Sequence, residues 1–312
     1  MGTEEGAGLN QTFNVNIKKR GGLVTEEELI KNIENIRVCK SGDSRAPHKP
    51  LLLLYALAEL QKDTHRLMLY NSVKNKLTDL LLEFGPSVKT RHSTLDPFLR
   101  LSNDNIWEVD KAIDINEASN KLLIDNNVRA GFNEEAYYML KGNNRLIGKV
   151  TEILLEKHFT DTLHDDILAR VGLNFTTLSI RKTRDPAFRE RILSIYDYKC
   201  AICGFDLKLN NSPLALEAAH IKWHKIGGPN IEVNGLALCV MHHKLFDQGA
   251  FTFNSSKEVL ISNKVFGATG FKEWLSEYEG KRIYLPTNPD YHPKETYIHW
   301  HVREVFKCDY AG

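Results

Sequence analysis

Apolar residues recur at helical spacing through the N-terminal half of the chain. Thr25 and Glu28 form a capping-box pair ahead of apolar positions 29, 30, 33 and 36, which predicts an amphipathic helix ending near Cys39. The stretch 51–60 is apolar on nearly every side, and Pro50 fits the first turn of a helix. We therefore expect this second helix to lie at the centre of an N-terminal core.

The rest of the pattern mixes helices with short strands. Phe98 to Val109 alternates around the polar letters SNDN, which predicts a β-hairpin, and residues 250–262 predict another. Pro186 begins a predicted helix over 185–196. Further helices are predicted over about 71–84, 116–125, 134–141 and 271–278. This mixture indicates an α+β protein.

Length and composition indicate two or three folded units and no membrane segment. The chain has 312 residues, more than one hydrophobic core usually organises, and 42% of them are hydrophobic while 26% are charged. No apolar run approaches the roughly 18 residues that span a bilayer, and the first residues lack the pattern of a signal peptide. We expect a cytoplasmic protein in which Cys39 and Cys308 stay reduced.

The net charge of +1 does not by itself indicate a partner. A DNA-binding protein concentrates its positive charge on one surface, so the distribution matters more than the sum. Basic clusters occur at 18–20, 89–92 and 181–184. Each is ordinarily a solvated surface and becomes a phosphate contact only in the right fold.

A regular spacing of metal ligands marks the C-terminal half. Cys200 and Cys203 are separated by two residues, and Cys239 and His242 repeat that spacing. Two such pairs are typical of a closed tetrahedral zinc site, in which each pair forms one knuckle. We predict structural Zn²⁺ here, and we therefore expect the later His299 and His301 to be structural.

The same stretch carries His220, Asn234 and His243 in that order, within AAHI, NGLALC and HHKLFD. It resembles the HNH endonucleases whose ββα-metal core is held by structural zinc. The resemblance implies that His220 is the general base, that Asn234 orients the active-site loop and that His243 binds a catalytic Mg²⁺ or Mn²⁺. The chemistry agrees, because a neutral imidazole deprotonates water near neutral pH and a divalent ion stabilises the charge on the phosphate.

One position departs from the commonest HNH pattern. Many relatives have Asp or His immediately before the general base as a second metal ligand, whereas this chain has Ala219. Asp247 lies one helical turn after His243 and is the first candidate for the missing ligand. Glu217 is the other candidate. An ordinary hydrogen bond from Asp247 to the backbone is an equally good reading.

The N-terminal half carries a second resemblance. The strings APHKPLLLLYAL, DPFLRLSNDNIWEV and VRAGF are similar to the sulfur-binding domain of restriction endonucleases that act on phosphorothioate-modified DNA. The resemblance covers about residues 24–165, and fusion to an HNH domain is also that family's arrangement. It implies double-stranded DNA as partner and a shallow pocket in which basic groups meet the phosphate while apolar atoms face the sulfur.

The pocket positions follow from those strings. Basic residues crowd the start of the second helix, where anions are favoured, although solvated charges before a core helix are a simpler reading. Asp96 stands where relatives commonly have an aromatic residue, and a carboxylate beside an anionic backbone needs a partner. The predicted DNA- and sulfur-binding residues are Arg45, His48, Lys49, Pro97, Arg100 and Arg129.

These observations predict the fold and function together. We expect a flexible arm over 1–23, a helix-rich DNA-reading domain over 24–165, a connector over 166–184 and a ββα-metal nuclease domain with structural zinc over 185–312. The predicted function is a modification-dependent restriction endonuclease acting as a homodimer. The alternatives are an HNH endonuclease that depends on methylated bases or on plain sequence, and a zinc-stabilised DNA-binding protein without catalysis.

Overall fold

The computed structural model describes residues 18–19, 22–23, 25–38, 43–62, 65–86, 93–173, 186–210 and 212–308. The basic clusters at 89–92 and 181–184, and Cys39, lie outside these ranges. Within the described residues no helix is long and apolar enough to cross a membrane.

The N-terminal half is a helical body around one short sheet. Its strands are β1 (Lys18–Lys19), β2 (Gly22–Leu23), β3 (Leu67–Leu69), β4 (Trp107–Val109) and β5 (Arg129–Phe132). Its helices are α1 (Glu26–Glu34), α2 (His48–Gln61), α3 (Tyr70–Phe84), α4 (Leu95–Arg100), α5 (Asn120–Asp125), α6 (Glu134–Leu140), α7 (Asn144–His158) and α8 (His164–Val171). Strands β1 and β2 pair with each other, and β3, β5 and β4 form an antiparallel sheet in that order.

Helix α2 is the centre of this body, as its sequence predicts. The side chains of residues 51–54 are completely buried, and α2 contacts α3, α4, α7 and α8. Helix α1 begins at the predicted cap, where Thr25 Oγ1 accepts a hydrogen bond from the Glu28 amide at 3.1 Å. It ends at Glu34, before the predicted end near Cys39.

The predicted hairpin over 98–109 is wrong. This stretch forms the end of α4, a 3₁₀ turn over Leu101–Asp104 and strand β4, which pairs with β5. Pro97 fits the first turn of α4, and Arg100 reaches back one turn to Asp96, so both features favour a helix over an extended strand. Asn105 then reverses the chain with φ of 57°, in the left-handed region.

The described part of the C-terminal half contains three antiparallel strand pairs. Its elements are α9 (Pro186–Ile195), β6 (Lys208–Leu209), β7 (Ser212–Pro213), β8 (Leu216–His220), β9 (Gly235–Cys239), α10 (Val240–Asp247), β10 (Phe251–Phe253), β11 (Val259–Ile261), α11 (Thr269–Trp274) and α12 (Glu295–Glu304). Strand β6 pairs with β7, and β10 pairs with β11. Strand β8 pairs with β9 so that His220 lies opposite Gly235, and β9 leads directly into α10. This β8–β9–α10 unit agrees with the predicted ββα core.

Helix α9 crosses the β8–β9 ladder closely. A Cβ on Gly235 would lie 2.3 Å from Cδ1 of Ile192, so a larger residue at this position would force the Ile192 side chain to shift. Helix α12 contains the first six residues of the final HWHVREVF and ends at Glu304, and His301 in it is completely buried. His301 Nδ1 contacts Thr252 Oγ1 at 3.0 Å and its Nε2 contacts the Phe246 carbonyl at 3.1 Å, which gives it a structural role.

The two halves share buried surface. Trp223, Trp300 and Val305 of the C-terminal half belong to the N-terminal hydrophobic core. Ion pairs cross the same boundary, including Lys244 to Asp166 at 3.0 Å. Helix α8, which contains Asp166, packs in the N-terminal core, so that core extends past residue 165 into the predicted connector.

Candidate functional site

The four predicted zinc ligands come together in one cluster. Cys200 and Cys203 precede β6, Cys239 ends β9 and His242 lies in the first turn of α10. Their ligand atoms all lie within 4.8 Å of one another, and His242 Nδ1 lies 3.2 Å from Cys239 Sγ. His242 Nε2 contacts the Trp274 carbonyl at 2.9 Å, so the ring donates there and points Nδ1 at the cluster. Three thiols and one imidazole at this spacing could hold a zinc ion.

A cavity of about 250 Å³ contains the two predicted catalytic histidines. His220 and His243 both line it, together with Asn230. Thr160, Asp161 and Thr162, from the segment between α7 and α8, form part of its wall. The N-terminal body therefore contributes to the surface around the catalytic histidines.

His220 is held in the orientation that a general base requires. Its ring stacks on Phe188 of α9 with centroids 4.2 Å apart, and its Nε2 lies 2.8 Å from Asn230 Oδ1. An amide oxygen only accepts hydrogen bonds, so this contact keeps the proton on Nε2 and leaves the Nδ1 lone pair available. Burial lowers the pKa of His220 below its usual value, and the ring is neutral at neutral pH.

Asn234 closes the loop that separates β8 from β9. Its Oδ1 accepts from the Lys222 amide at 2.9 Å, and its Nδ2 donates to the carbonyls of Lys222 and Pro229, both at 3.0 Å. The side chain is completely buried, so these bonds are protected from water. Because the loop carries Asn230, Asn234 fixes the partner of His220.

His243 lies between two carboxylates. Its Nδ1 is 2.8 Å from Glu217 Oε2, and its Nε2 is 3.2 Å from Asp247 Oδ2. Burial alone would lower the pKa of His243, but the two carboxylates outweigh it and raise the pKa to about 9. A cation that binds His243 must therefore displace a proton.

Glu217 and Asp247 do not converge on one point, because they contact opposite nitrogens of the His243 ring. Asp247 also accepts a hydrogen bond from Trp223 Nε1 at 3.0 Å and another from Thr162. Its side chain is 1% exposed, whereas that of Glu217 is 20% exposed. Both oxygens of Asp247 are already engaged and Glu217 is the more accessible carboxylate, while a metal-binding role for Asp247 stays a prediction.

A second, larger cavity lies where α2 and α4 begin. Its volume is about 730 Å³, and it is lined by Pro97 together with His48, Lys49 and Arg100. Arg37, Val38, Ser44 and Ala46 complete much of the wall. Arg45 lines it as well, so five of the six residues predicted to bind DNA surround one apolar and basic cavity.

Two family models match this chain. The model described as ScoMcrA-like, DNA sulfur-binding domain, matches residues 26–176, and the model described as HNH endonuclease matches residues 200–254. The chain thus joins a ScoMcrA-like DNA sulfur-binding domain to an HNH endonuclease domain. The predicted family, fold class and nuclease function are confirmed. Among curated proteins, no sequence matches this chain.

Several solved structures are similar to parts of the chain. The sulfur-binding domain of ScoMcrA complexed with phosphorothioated DNA is 19% identical, with a TM-score of 0.41, over 46% of this chain and 94% of that one. The corresponding domain of SprMcrA, also complexed with phosphorothioated DNA, is 17% identical, with a TM-score of 0.42, over 48% and 95%. The modification-dependent TagI restriction endonuclease is 22% identical, with a TM-score of 0.28, over 39% and 38%.

Within the sulfur-binding domain, the Asp96 carboxylate is paired, as is required of a carboxylate beside an anionic DNA backbone. Its carboxylate accepts from Arg100 Nε at 2.9 Å and from Ser93 Oγ at 3.0 Å. The bond from Arg100 is the main cause that lowers the pKa of Asp96, and it holds the carboxylate ionised. The Arg100 side chain remains 51% exposed, so it still presents positive charge beside the cavity.

Two of the predicted DNA-binding residues are already engaged inside the protein. Lys49 Nζ lies 2.5 Å from Asp104 Oδ2 and 3.2 Å from the Arg100 carbonyl, and its side chain is 10% exposed. Arg45 is 5% exposed and donates to the carbonyls of Glu304, at 2.9 Å, and of Phe84. Burial lowers the pKa of Arg45 to about 10, although Glu304 and Asp247 counteract it, so the guanidinium stays charged.

That Arg45 contacts DNA stays a prediction, because the residue lines the larger cavity while its guanidinium donates inside the protein. Its guanidinium lies 4.1 Å from the centroid of the Trp223 ring, so it is fixed between the two domains. Arg129 is exposed on β5 and is not among the described residues that line the larger cavity. Its contact with DNA stays a prediction.

Asn230, Trp223 and Phe188 were missed by the sequence analysis. Asn230 follows the turn GGP, a context that indicates a loop and gives no sign that its amide meets His220. Trp223 lies three residues after His220, and this proximity was the only signal for it.

Proposed function

We propose that this protein is a modification-dependent restriction endonuclease that recognises phosphorothioate DNA and hydrolyses nearby phosphodiester bonds. The observation that carries the proposal is the presence of a sulfur-binding domain and an HNH domain in one chain, each with its own cavity. The smaller cavity holds a neutral imidazole, and the larger one holds a proline ring among basic groups.

Recognition follows from the larger cavity. Sulfur is larger and less strongly hydrated than oxygen, so an apolar wall disfavours the oxygen of ordinary DNA more than the sulfur. Pro97 and Ala46 supply that wall, while Arg100 and His48 are placed to meet the phosphate charge. Lys49 of α2 is held by Asp104 and donates to the Arg100 carbonyl at the end of α4, so it joins the two helices beside the cavity.

Hydrolysis follows from the smaller cavity. His220 Nδ1 accepts the proton of the attacking water, while the Asn230 contact and the Phe188 stack keep the ring in place. His243 and Glu217 are the residues that would hold Mg²⁺ or Mn²⁺, and the ion would stabilise negative charge on the phosphate and the departing oxygen. Asp247 accepts from His243 Nε2 and so directs Nδ1 toward Glu217.

The cysteine and histidine cluster supplies rigidity and takes no part in hydrolysis. It joins the start of the domain to the end of β9 and the first turn of α10, and His243 is adjacent to its ligand His242. We propose that this site holds Zn²⁺. Its role is to fix the position of α10 and thus of His243.

The experiment compares three matched duplexes that are unmodified, methylated or carry a single phosphorothioate, each incubated with the protein and Mn²⁺. We expect cleavage of the phosphorothioate duplex alone, and loss of cleavage in His220→Ala with affinity and zinc content retained. Preferential cleavage of methylated DNA would instead favour an HNH endonuclease that depends on methylated bases. Binding without cleavage of any duplex would favour the non-catalytic alternative.

We further infer a homodimer. One HNH site cuts one strand at a time, so two copies are the simplest way to break both strands. Sedimentation of the protein with and without the phosphorothioate duplex tests this. A monomer under both conditions would contradict it.

A further inference from the structure

A continuous line of contacts joins the sulfur-binding cavity to the catalytic histidine of α10. Arg45 lines that cavity and lies 4.1 Å from the centroid of the Trp223 ring. Trp223 Nε1 donates to Asp247 Oδ1 at 3.0 Å, and Asp247 Oδ2 lies 3.2 Å from His243 Nε2. All four residues are at most 6% exposed.

The line is anchored at its cavity end. The Arg45 guanidinium is fixed by the carbonyls of Glu304 and Phe84, and the Arg45 amide donates to Glu304 Oε2 at 3.0 Å. Glu304 is completely buried in α12. Packed protein interiors transmit strain, so a displacement of Arg45 is expected to reach the buried residues that it contacts.

Trp223 also lines the cavity that contains His220 and His243, so it belongs to both regions. Its indole has one polar hydrogen, and the structure directs that hydrogen at Asp247. Asp247 in turn is the carboxylate behind His243, and such carboxylates set the orientation and basicity of a metal-binding imidazole.

We propose that Arg45 and Trp223 are positioning residues for the nuclease site. They hold Asp247 against His243, and a phosphorothioate in the larger cavity changes the rate of cleavage by shifting Arg45 against the Trp223 ring. The positioning part requires only an HNH site that binds a divalent ion, whereas the sulfur-dependent part rests on the proposed function. The two parts are tested separately below.

The first test compares two buried tryptophans. Trp223→Phe keeps an aromatic face beside Arg45 but removes the donor to Asp247. Trp300→Phe is the matched control, because Trp300 packs edge-on against Trp223 at 5.9 Å and donates to the Asp43 carbonyl at 2.8 Å, not to Asp247. The readouts are Mn²⁺ affinity by calorimetry on the zinc-loaded protein and the single-turnover rate of cleavage.

We expect Trp223→Phe to weaken Mn²⁺ binding and slow cleavage by about tenfold or more, the usual effect of losing support behind a metal ligand. DNA affinity should stay within about twofold, as should every readout of Trp300→Phe. Equal Mn²⁺ affinity in the two variants would overturn the positioning role, even if no duplex is cleaved.

A double-mutant cycle then tests whether Arg45 acts through Trp223. Arg45→Met removes the charge and keeps much of the side-chain volume. If both residues act along one line, the double variant has the Mn²⁺ affinity of the weaker single variant. If the two substitutions reduce Mn²⁺ affinity by factors that multiply in the double variant, Arg45 and Trp223 act independently, and the proposed connection between them is overturned. Thermal unfolding identifies any variant that has not folded, and Arg45→Lys then replaces Arg45→Met.

The sulfur-dependent part needs a readout that does not depend on cleavage. In protein labelled with 5-fluorotryptophan, the Trp223 resonance is the one missing from Trp223→Phe. We expect it to shift when a phosphorothioate duplex binds without Mn²⁺, and to stay unshifted by that duplex in Arg45→Met. Tight, sulfur-selective binding without a shift would overturn the coupling alone. Equal affinity for modified and unmodified duplexes would overturn the proposed function and this part with it, while the Mn²⁺ comparison would still decide the positioning role.

Discussion

Replacing Asn234 with alanine should release the loop that carries Asn230 and should slow cleavage. The change removes three hydrogen bonds, to the Lys222 amide, the Lys222 carbonyl and the Pro229 carbonyl. Each buried hydrogen bond contributes about 1 kcal/mol net, so the loop should lose about 3 kcal/mol. Amide exchange across residues 221–234 should then accelerate on the order of a hundredfold.

The rate of cleavage should be a more specific measure of this substitution than the stability of the protein. The loop positions Asn230 against His220 Nε2, and a misplaced catalytic group can cost about a hundredfold in rate. We expect the single-turnover rate of Asn234→Ala to fall at least tenfold, while the affinity for the duplex and the zinc content stay unchanged.

Asn254→Ala is the matched control for this variant. The Asn254 side chain closes the β10–β11 turn. Its Oδ1 accepts a hydrogen bond from the Glu258 backbone amide at 3.0 Å, and its Nδ2 donates one to Glu258 Oε2 at 2.9 Å. It should destabilise that hairpin without slowing cleavage. If Asn234→Ala cleaves at the rate of Asn254→Ala, or if exchange in the loop does not change, the role assigned to Asn234 is refuted.

Four further predictions cover the zinc site, the cavity and pH. Cys239→Ala should unfold the nuclease domain because zinc binding and folding are coupled, and a soluble, active, zinc-free variant would contradict the site. Pro97→Ser should narrow the affinity gap between phosphorothioate and ordinary duplexes by about 1–3 kcal/mol, and an unchanged ratio would remove Pro97 from sulfur recognition. Arg129→Ala should weaken binding to any DNA and flatten its salt dependence by about one unit of slope, and an unaltered slope would place Arg129 away from phosphate. Burial lowers the pKa of His301 from 6.5 to about 3. As the pH falls from 6.5 toward 3, His301 therefore binds a proton in the unfolded chain but not in the folded protein, and the free energy of unfolding decreases. Urea unfolding at several pH values should show a shallower acid loss in His301→Gln, by up to about 1.4 kcal/mol per pH unit, and parallel curves would contradict the assignment.

The zinc cluster and the ββα core were predictable because their information is local in the sequence. Cys200, Cys203, Cys239 and His242 are recognisable from their spacing alone, and the second pair of ligands lies where β9 ends and α10 begins. The apolar stretch of α2 was equally clear, because a helix that is apolar on every side has to be buried.

The sequence was a poor guide where a residue far along the chain, or a local capping interaction, determines the conformation or the contacts of a segment. The alternation over 98–109 fits a strand, but Pro97 and the Asp96 to Arg100 pair favour a helix first. The contacts of Arg45 between the two domains were missed because its partner Glu304 lies near the other end of the chain. The role of Asp247 was ambiguous for the same reason, since Trp223 and Thr162 reach it only in the folded protein.

The hydrophobic core that Trp223, Trp300 and Val305 share with the sulfur-binding domain limits how this protein can be recombined. One domain is easily exchanged for another when a flexible linker joins two independent domains. Here a foreign reader would leave two indole rings exposed to water and the buried carboxylate of Glu304 without the Arg45 amide. Chimaeras should therefore fold only when the donor reader brings its own nuclease contact surface, and the reader and the nuclease should be inherited as one unit.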